Sequence, residues 1–258
     1  MTPMQLARLC AFVNMPVPPG ARGSLGAICQ MLADGESSAG QISKDDGLCA
    51  LRLEDVVDHN DTTGFVAYAL CDSLTGQMYG LFRGSETARN QAGVPVDWTD
   101  NILSPLFCSG QYGDAADFAA RFQREEVTFI GHSKGGHNAL FALSAVENPR
   151  ARAMAFNGQG FARGQLSREQ IRRLREQAEN LVVQNDPVGA LLWHPERRKF
   201  VRYSGKGMAH SLSAFSFAAD GQPVPGFRPV WSYLLEAASR LAVRALRTDG
   251  ETCPVPVG

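Results

Sequence analysis

The stretch that decides the fold is VTFIGHSKGGHNALFAL, residues 127–143. It starts with an apolar run of strand length, Val127–Ile130, and passes into a pattern typical of a helix, Lys134–Val146. Between them lies G-x-S-x-G, with Ser133 at its centre. A serine at a sharp turn from strand to helix sits on a strained backbone, and its hydroxyl projects over the N-terminus of the helix. The pattern therefore predicts that Ser133 is a nucleophile rather than a serine in an ordinary turn.

The chain around this stretch alternates strands and helices, which is typical of a parallel or mixed sheet with crossover helices. Upstream, two β-rich runs flank the turn signal Leu74-Thr75-Gly76 and predict a hairpin. The predicted strands are Phe65–Cys71, Gln77–Phe82, Ala151–Phe156, Leu181–Gln184 and Phe200–Tyr203, and the predicted helices are Asp114–Phe122, Ser167–Asn180 and Pro229–Leu246. We therefore expect a central, mostly parallel sheet with flanking helices.

The first 60 residues have a different character. Apolar residues recur at helical spacing near the start, from Leu6 to Val13, and a second short helix is predicted over Leu25 to Leu32. A third helical stretch is predicted from the spacing of Leu48, Leu51, Leu53 and Val56. With no internal repeat and no linker, we predict one domain over residues 1–258, with a helical segment, 1–60, packed on a core of residues 64–246.

The composition excludes several classes of protein. The 258 residues include 25 Lys and Arg against 26 Asp and Glu, a net charge of −1, which leaves no basic face for nucleic acid. Hydrophobic residues at 44% and charged residues at 20% argue against a disordered chain. The cysteines form no C-x-x-C pair, which indicates buried thiols in a reducing compartment and no metal site; they are Cys10, Cys29, Cys49, Cys71, Cys108 and Cys253. The N-terminus has neither a signal-peptide pattern nor a membrane span, so we expect a cytoplasmic protein.

A serine hydroxyl needs a base, and the base needs a carboxylate to orient it. In proteins with this kind of turn the chain order is Ser, Asp or Glu, His. Asp186, just past a predicted strand, is the candidate carboxylate; the alternative is an ordinary turn aspartate before Pro187. We favour His210 as the base, because it follows a predicted strand and a Gly-rich turn. The second choice is His194, which lies only 8 residues past Asp186.

The tetrahedral intermediate of acyl transfer needs N–H donors aimed at its oxyanion. One donor is the backbone N–H of Lys134, the residue after the nucleophile, and the second comes from a loop after an earlier strand. Ser85 follows such a strand and offers both its N–H and its Oγ; the alternative is an ordinary strand exit. We predict structural roles for the two histidines near the turn, His132 and His137.

These motifs give the chain a specific resemblance. It resembles the lipase (class 3)-like α/β-hydrolases, and most closely their Mbeg1-like branch, from about Gly64 to Phe217. The matching motifs are FRGS, the pair Asp-Trp, GHSKGG, FNGQGF and NDPVG, at residues 82–85, 97–98, 131–136, 156–161 and 185–189. The resemblance implies an α/β-hydrolase fold and acyl-ester chemistry. It also implies a triad of Ser133, Asp186 and His210, with Ser85 and Lys134 as the oxyanion hole.

One position departs from the lipases of this group. Lys134 stands where true lipases commonly carry an apolar residue, which fits the Mbeg1-like branch and argues against triglyceride specificity.

Apolar residues cluster in three segments that we expect over the strand ends. Such a lining favours an acyl chain or an aromatic ester as substrate, and the alternative is that these side chains belong to the core. Residues Gln91–Phe107 are a candidate lid. The clustered residues are Ile102, Leu103, Leu106 and Phe107; Val188, Leu191, Leu192 and Trp193; and Leu212, Phe215 and Phe217.

Together these features predict a cytoplasmic hydrolase of carboxylic esters or lipid acyl esters that needs no metal or organic cofactor. Its partner is a small acyl ester or a lipid, and peripheral contact with lipid is compatible with the sequence. The same triad would serve a peptidase, an amidase or an acyltransferase. A non-catalytic binding module on a hydrolase fold is the remaining alternative, against which the intact set Ser133, Asp186 and His210 argues.

Overall fold

The fold is built around one sheet, seen in a computed structural model that describes residues 1–15, 17, 20–32, 42, 44–85 and 110–246. Within these residues the sheet has eight strands, and they lie side by side in the order of the sequence. The strands are β1, Gly23–Ser24; β2, Arg52–His59; β3, Phe65–Cys71; β4, Met78–Phe82; β5, Val127–His132; β6, Ala151–Phe156; β7, Ala178–Val183; and β8, Arg197–Val201.

The direction of the strands changes once across the sheet. Strands β1 to β4 pair antiparallel, and β4 to β8 pair parallel. Parallel strands bring their carboxyl ends to one edge of the sheet, and ligands of α/β proteins bind at that edge. The loops after β4, β5, β6, β7 and β8 therefore meet there.

Helices cover both faces of the sheet. They are α1, Pro3–Phe12; α2, Leu25–Leu32; α3, Asp46–Cys49; α4, Gly110–Ala119; α5, Lys134–Ala145; α6, Arg168–Gln177; and α7, Val230–Leu246. Because successive strand residues point to opposite faces, the core is split in two. On one face Tyr68 meets Phe12 of α1 edge-on, with 5.7 Å between ring centres. On the other, Ala67 lies in the cluster that holds Phe141 of α5. This arrangement confirms the predicted α/β class.

Most of the predicted elements are present. Strands β3 and β6 have the predicted bounds, as does α2, and α5 and α7 differ from their predictions by one residue. Helix α6 begins with a capping box, in which the Ser167 hydroxyl accepts the N–H of Gln170 and the Gln170 side chain accepts the N–H of Ser167.

The helical prediction through Leu51, Leu53 and Val56 is wrong, because residues 52–59 form β2. The spacing of these apolar residues fits a helix turn, but the segment pairs with β3 along its whole length, from Arg52 opposite Cys71 to His59 opposite Phe65. The N-terminal 60 residues therefore contribute to the sheet as well as covering it.

Several boundaries differ from the predictions. The helix predicted as Asp114–Phe122 begins four residues earlier, as α4, Gly110–Ala119. Strand β7 begins at Ala178, inside the predicted helix Ser167–Asn180, because Ala178 joins the parallel ladder opposite Ala153. Strand β8 begins at Arg197, three residues before the predicted Phe200, where Arg197 pairs with Glu179. At both places the neighbouring strand decides where the new strand starts.

The turn after β5 is the tightest point of the fold. A methyl group on Gly131 would lie 2.2 Å from the carbonyl carbon and oxygen of Gly135. A methyl group on Gly135 would lie 2.2 Å from the carbonyl oxygen of Phe82, at the end of β4. Backbone atoms cannot yield as a flexible side chain can, so both positions require glycine.

We expect Gly131→Ala to lower the free energy of unfolding by roughly 3 kcal/mol or more, because two backbone segments would have to separate. Gly113→Ala is the matched control, since Gly113 is exposed within α4 and its added methyl group would meet nothing within 4 Å. This control should raise the free energy of unfolding by about 0.5–1 kcal/mol. Urea unfolding checks both values, and equal effects of the two substitutions would contradict the close-packing argument.

Candidate active site

Ser133 lies at the turn between β5 and α5, at the carboxyl edge of the sheet. Its φ of 58° and ψ of −125° fall in a region that residues other than glycine rarely adopt. Two backbone hydrogen bonds hold this strained conformation: the Ser133 N–H donates to the carbonyl of Phe156 at 2.9 Å, and the Ser133 carbonyl accepts from the N–H of His137 at 3.1 Å. The strand neighbour and the helix thus fix the direction of the hydroxyl.

The structure brings Ser133, His210 and Asp186 into one line of hydrogen bonds. His210 Nε2 lies 2.8 Å from Ser133 Oγ. The other ring nitrogen, Nδ1, lies 3.0 Å and 3.1 Å from the two carboxylate oxygens of Asp186. A carboxylate only accepts, so Nδ1 carries the proton that it donates to Asp186. In the neutral ring Nε2 is then free to accept the proton of the serine hydroxyl.

Asp186 is both a turn residue and the partner of the histidine. Its carboxylate is buried and accepts the N–H of Val188 at 2.8 Å and that of Gly189 at 3.4 Å, which folds the loop back on itself. The sequence offered these roles as alternatives, and the geometry joins them. The turn holds the carboxylate still while its oxygens face His210.

Two side chains outside this line hold the loop that carries His210. The ring of His132 donates from Nε2 to the carbonyl oxygen of His210 at 2.7 Å. Burial, with a further contribution from His210, lowers the pKa of His132 to about 3, so this ring stays neutral. The side chain of Asn157, at φ 51°, accepts the N–H of Val183 at 2.9 Å and donates to the carbonyl of Ala209 at 3.4 Å.

The sequence did not predict a role for Asn157. This residue lies in FNGQGF, a motif that supports the resemblance but to which no function was assigned. The structural role predicted for His132 takes a specific form, because its ring bonds to the backbone of His210, the residue that faces Ser133.

The two predicted oxyanion residues lie beside the turn. Lys134 is the first residue of α5, so its N–H is at the N-terminus of that helix. Ser85 follows β4, whose last residue, Phe82, is opposite Gly131. A methyl group on Gly84 would lie 3.8 Å from the Cβ of Ser133, which shows how closely the exit of β4 passes this serine. The candidate lid Gln91–Phe107, and with it the Asp-Trp pair, lies outside the described residues.

His194, the second choice as base, is engaged elsewhere. Its Nδ1 lies 2.7 Å from a carboxylate oxygen of Glu196, and its Nε2 lies 2.9 Å from the carbonyl of Leu191. Both nitrogens therefore face acceptors close at hand, and neither faces Ser133. Burial alone would raise the pKa of Glu196, but the His194 ring and the amide of Asn180 outweigh it and hold that pKa below its ordinary value.

His137 lies in a buried chain of hydrogen bonds on the far side of the turn. Its Nδ1 donates to the carbonyl of Gln159 at 3.2 Å, so its Nε2 accepts from the hydroxyl of Tyr112 at 2.7 Å. The same hydroxyl accepts from the side-chain amide of Gln165 at 2.8 Å. Burial lowers the pKa of His137 to about 4, and the ring is neutral at physiological pH.

Part of the predicted apolar lining belongs to the core. Phe215 is buried and packs edge-on against Phe156, with 5.5 Å between ring centres, and Leu192 is buried beside Val243. Leu212 and Phe217 are partly buried against the same core as Phe215. The residues from Ile102 to Phe107 lie outside the described part of the chain.

The two buried cysteines among the described residues are poor nucleophiles. Burial raises the pKa of the Cys29 thiol to about 11 and that of Cys10 further, which disfavours the thiolate. Across the described residues, no group of three or more His, Cys, Asp or Glu is arranged to hold a metal ion. In the same part of the chain, no helix is long and apolar enough to cross a membrane.

The sequence profile of the Mbeg1-like family matches residues 55–222, which include the turn, Asp186 and His210. The chain belongs to the Mbeg1-like family. The order of the parallel strands, with the serine turn after β5, gives this Mbeg1-like protein the α/β-hydrolase fold that the sequence predicts.

Solved structures of similar shape come from fungi. MDLA from Penicillium cyclopium is 13% identical, with a TM-score of 0.48, and the match covers 92% of this chain and 94% of the other. Lip2 lipase from Yarrowia lipolytica is 13% identical, with a TM-score of 0.49, and the match covers 82% and 80% of the two chains. No curated protein matches the Mbeg1-like chain in sequence.

The two buried neutral histidines make the stability of the fold depend on pH. Their pKa values in the folded protein, about 3 and about 4, lie below the ordinary 6.5, so below pH 6.5 the unfolded chain binds protons that the folded chain does not. The stability that the two neutral rings contribute is therefore fully present above pH 6.5. It is lost as the pH falls through about 4 for His137 and about 3 for His132.

We expect His137→Gln to remove part of this dependence, on the order of 3 kcal/mol between neutral pH and pH 4. Stability at neutral pH should also fall in this variant, because the Tyr112 hydroxyl loses its acceptor. Urea unfolding over this pH range measures both effects. If the free energy of unfolding of the variant changed with pH as steeply as that of the wild type, His137 would not be neutral in the folded protein.

Proposed function

We propose that this Mbeg1-like protein is a serine hydrolase that cleaves carboxylic esters, among them acyl esters of lipids, through an acyl-enzyme intermediate. The observation that carries the proposal is the line of hydrogen bonds from Ser133 Oγ through His210 to Asp186. The strained serine turn and the α/β-hydrolase fold support the same function, because this turn is where that fold places its nucleophile.

Each residue then has one task. Ser133 Oγ attacks the carbonyl carbon of the ester while its proton passes to His210 Nε2. Asp186 holds the ring by Nδ1 and stabilises the imidazolium that forms. His210 returns the proton to the leaving alcohol, and the acyl group stays on Ser133. A water molecule, deprotonated by His210, attacks this ester, and the acid leaves as Ser133 regains its proton.

The charge that develops on the carbonyl oxygen needs donors beside Ser133. We propose the N–H of Lys134, at the start of α5, and the N–H or Oγ of Ser85, beyond the end of β4. Two features support this choice: the helix N-terminus favours negative charge, and Gly84 brings the exit of β4 against the turn. The His132 and Asn157 side chains act as positioning residues, because they bond to the loop that carries His210 and have no role in proton transfer.

We expect Ser133→Ala to lower kcat for p-nitrophenyl esters by at least about 10⁴-fold, because the acyl-enzyme cannot form. A fluorophosphonate should label the wild type and not this variant, and the wild type should show a burst of nitrophenol. Ser73→Ala is the matched control, since Ser73 is exposed in the turn between β3 and β4 and should keep full activity. Equal turnover by Ser133→Ala and the wild type would contradict the proposed function.

A second pair of variants separates the two His–carboxylate pairs. In Asp186→Asn the amide oxygen can still accept the N–H of Val188, so the turn survives, but the amide cannot hold His210 in the required tautomer. We expect kcat to fall by about 10³–10⁴-fold with little change in Tm. Glu196→Gln, in the pair with His194, should reduce Tm more than kcat per folded molecule. The reverse pattern would assign catalysis to His194.

A further inference from the structure

Helix α7 is attached to the protein by its polar side. Glu236 accepts from Arg198 at 2.7 Å and from Arg228 at 2.6 Å, and Ser239 Oγ accepts the backbone N–H of Leu192 at 2.9 Å. Ser232, on the same side, is 1% exposed. Surface helices of soluble proteins ordinarily pack their apolar side on the core and leave their polar side in water. In α7 this order is largely inverted, and one apolar side chain, Val243, joins the polar residues on the inward side.

The opposite side of α7 is apolar and exposed. Val230 is 77% exposed, Leu234 68% and Leu241 66%. At 100° per residue the exposed apolar residues cover about half of the helix circumference along its whole length. We call this surface the α7 arc; it consists of Val230, Trp231, Tyr233, Leu234, Ala237, Ala238, Leu241, Ala242 and Ala245. Phe227, 65% exposed, extends it before the helix begins.

A surface of this kind requires a partner. A single exposed leucine is ordinary, but a contiguous apolar face on a helix marks a site of interaction with a protein or a lipid. The charges around the α7 arc favour lipid. Residues 227–246 contain three arginines and one glutamate, a local charge of +2 in a chain whose net charge is −1. The single acidic side chain, Glu236, is turned inward and pairs with Arg198, Arg228 and, at 3.5 Å, Arg240.

The arrangement of the remaining groups is that of an interfacial helix. Arg240 and Arg244 lie along one margin of the α7 arc, and Arg228 stacks on the ring of Tyr233 at 3.7 Å. Trp231 and Tyr233 stand at the N-terminal end of the arc, and such aromatic residues are enriched at the level of lipid headgroups. A helix with an apolar face, aromatic anchors and marginal arginines lies in the plane of a membrane surface.

We propose that the α7 arc binds the surface of an anionic lipid bilayer. The aliphatic side chains enter the region between headgroups and acyl chains, and the arginines at the margin contact anionic headgroups. The helix is anchored on the loop that follows Asp186, through Leu192 and the turn Val188–Ala190. Binding would therefore hold the loop between β7 and β8, which begins just after Asp186, close to the lipid. The inference concerns binding alone and stands whether or not the chain is a hydrolase.

The test is co-sedimentation of the full chain with vesicles made of equal parts of phosphatidylcholine and phosphatidylglycerol, compared with vesicles of phosphatidylcholine alone. We expect binding to the anionic vesicles, weakened by salt because the headgroup contacts are screened. Leu234→Glu and Leu241→Glu should each lower the partition coefficient by roughly tenfold or more. Leu74→Glu is the matched control: Leu74 is 91% exposed in the turn between β3 and β4, so this variant should bind like the wild type.

The readouts keep this proposal apart from the proposed function. Ser133→Ala should bind vesicles like the wild type, and Leu234→Glu should keep full turnover of a soluble short-chain ester.

Vesicle binding unchanged in both Glu variants overturns the proposal. A dimer of the wild type in light scattering that Leu234→Glu dissociates, without vesicle binding, assigns the arc to a second copy and also overturns it. No vesicle binding by a monomeric wild type does so too, because the arc would then be covered by the chain itself.

Discussion

The contact between three backbone segments at the serine turn is the constraint on which the rest of the structure depends. Strand β5 can pass into α5 at this angle only because Gly131 and Gly135 bring no Cβ atoms between them and the end of β4. Ser133 adopts its φ of 58° at this contact, and Gly84, just after β4, lies against the same turn. The fold and the site are therefore specified by one feature, and a change that relaxes the turn affects both.

The position of His210 depends on groups outside the line of hydrogen bonds that it completes. His210 lies in an irregular segment after β8, where no regular element holds it. Instead, bonds from the side chains of His132 and Asn157 reach the backbone carbonyls of His210 and Ala209. His132 is the last residue of β5 and Asn157 follows β6, so the sheet that aligns these strand ends also fixes the loop above them. A preorganised site of this kind needs little rearrangement before a proton moves.

The histidines differ in the groups that their ring nitrogens face. Burial keeps His132 and His137 neutral, and each donates one hydrogen bond to a carbonyl. Both nitrogens of His194 face acceptors, one of them a carboxylate oxygen of Glu196. In His210 one nitrogen faces Asp186 and the other faces a hydroxyl, which is the arrangement that lets a ring exchange a proton. The groups around each ring thus decide whether a histidine holds a carbonyl, pairs with a carboxylate or links a carboxylate to a hydroxyl.

The sequence by itself determined the parts that depend on neighbours along the chain. These are the serine turn, the hairpin, the alternation of strands and helices after residue 127, and the order of Ser133, Asp186 and His210. Local spacing carries these features, because a turn or an amphipathic period involves only a few consecutive residues. Only the tertiary structure decided that residues 52–59 join the sheet, that Asn157 supports the His210 loop, and that α7 turns its apolar side outward. Those outcomes depend on hydrogen bonds and packing between residues far apart in the chain, and a one-dimensional pattern does not contain them.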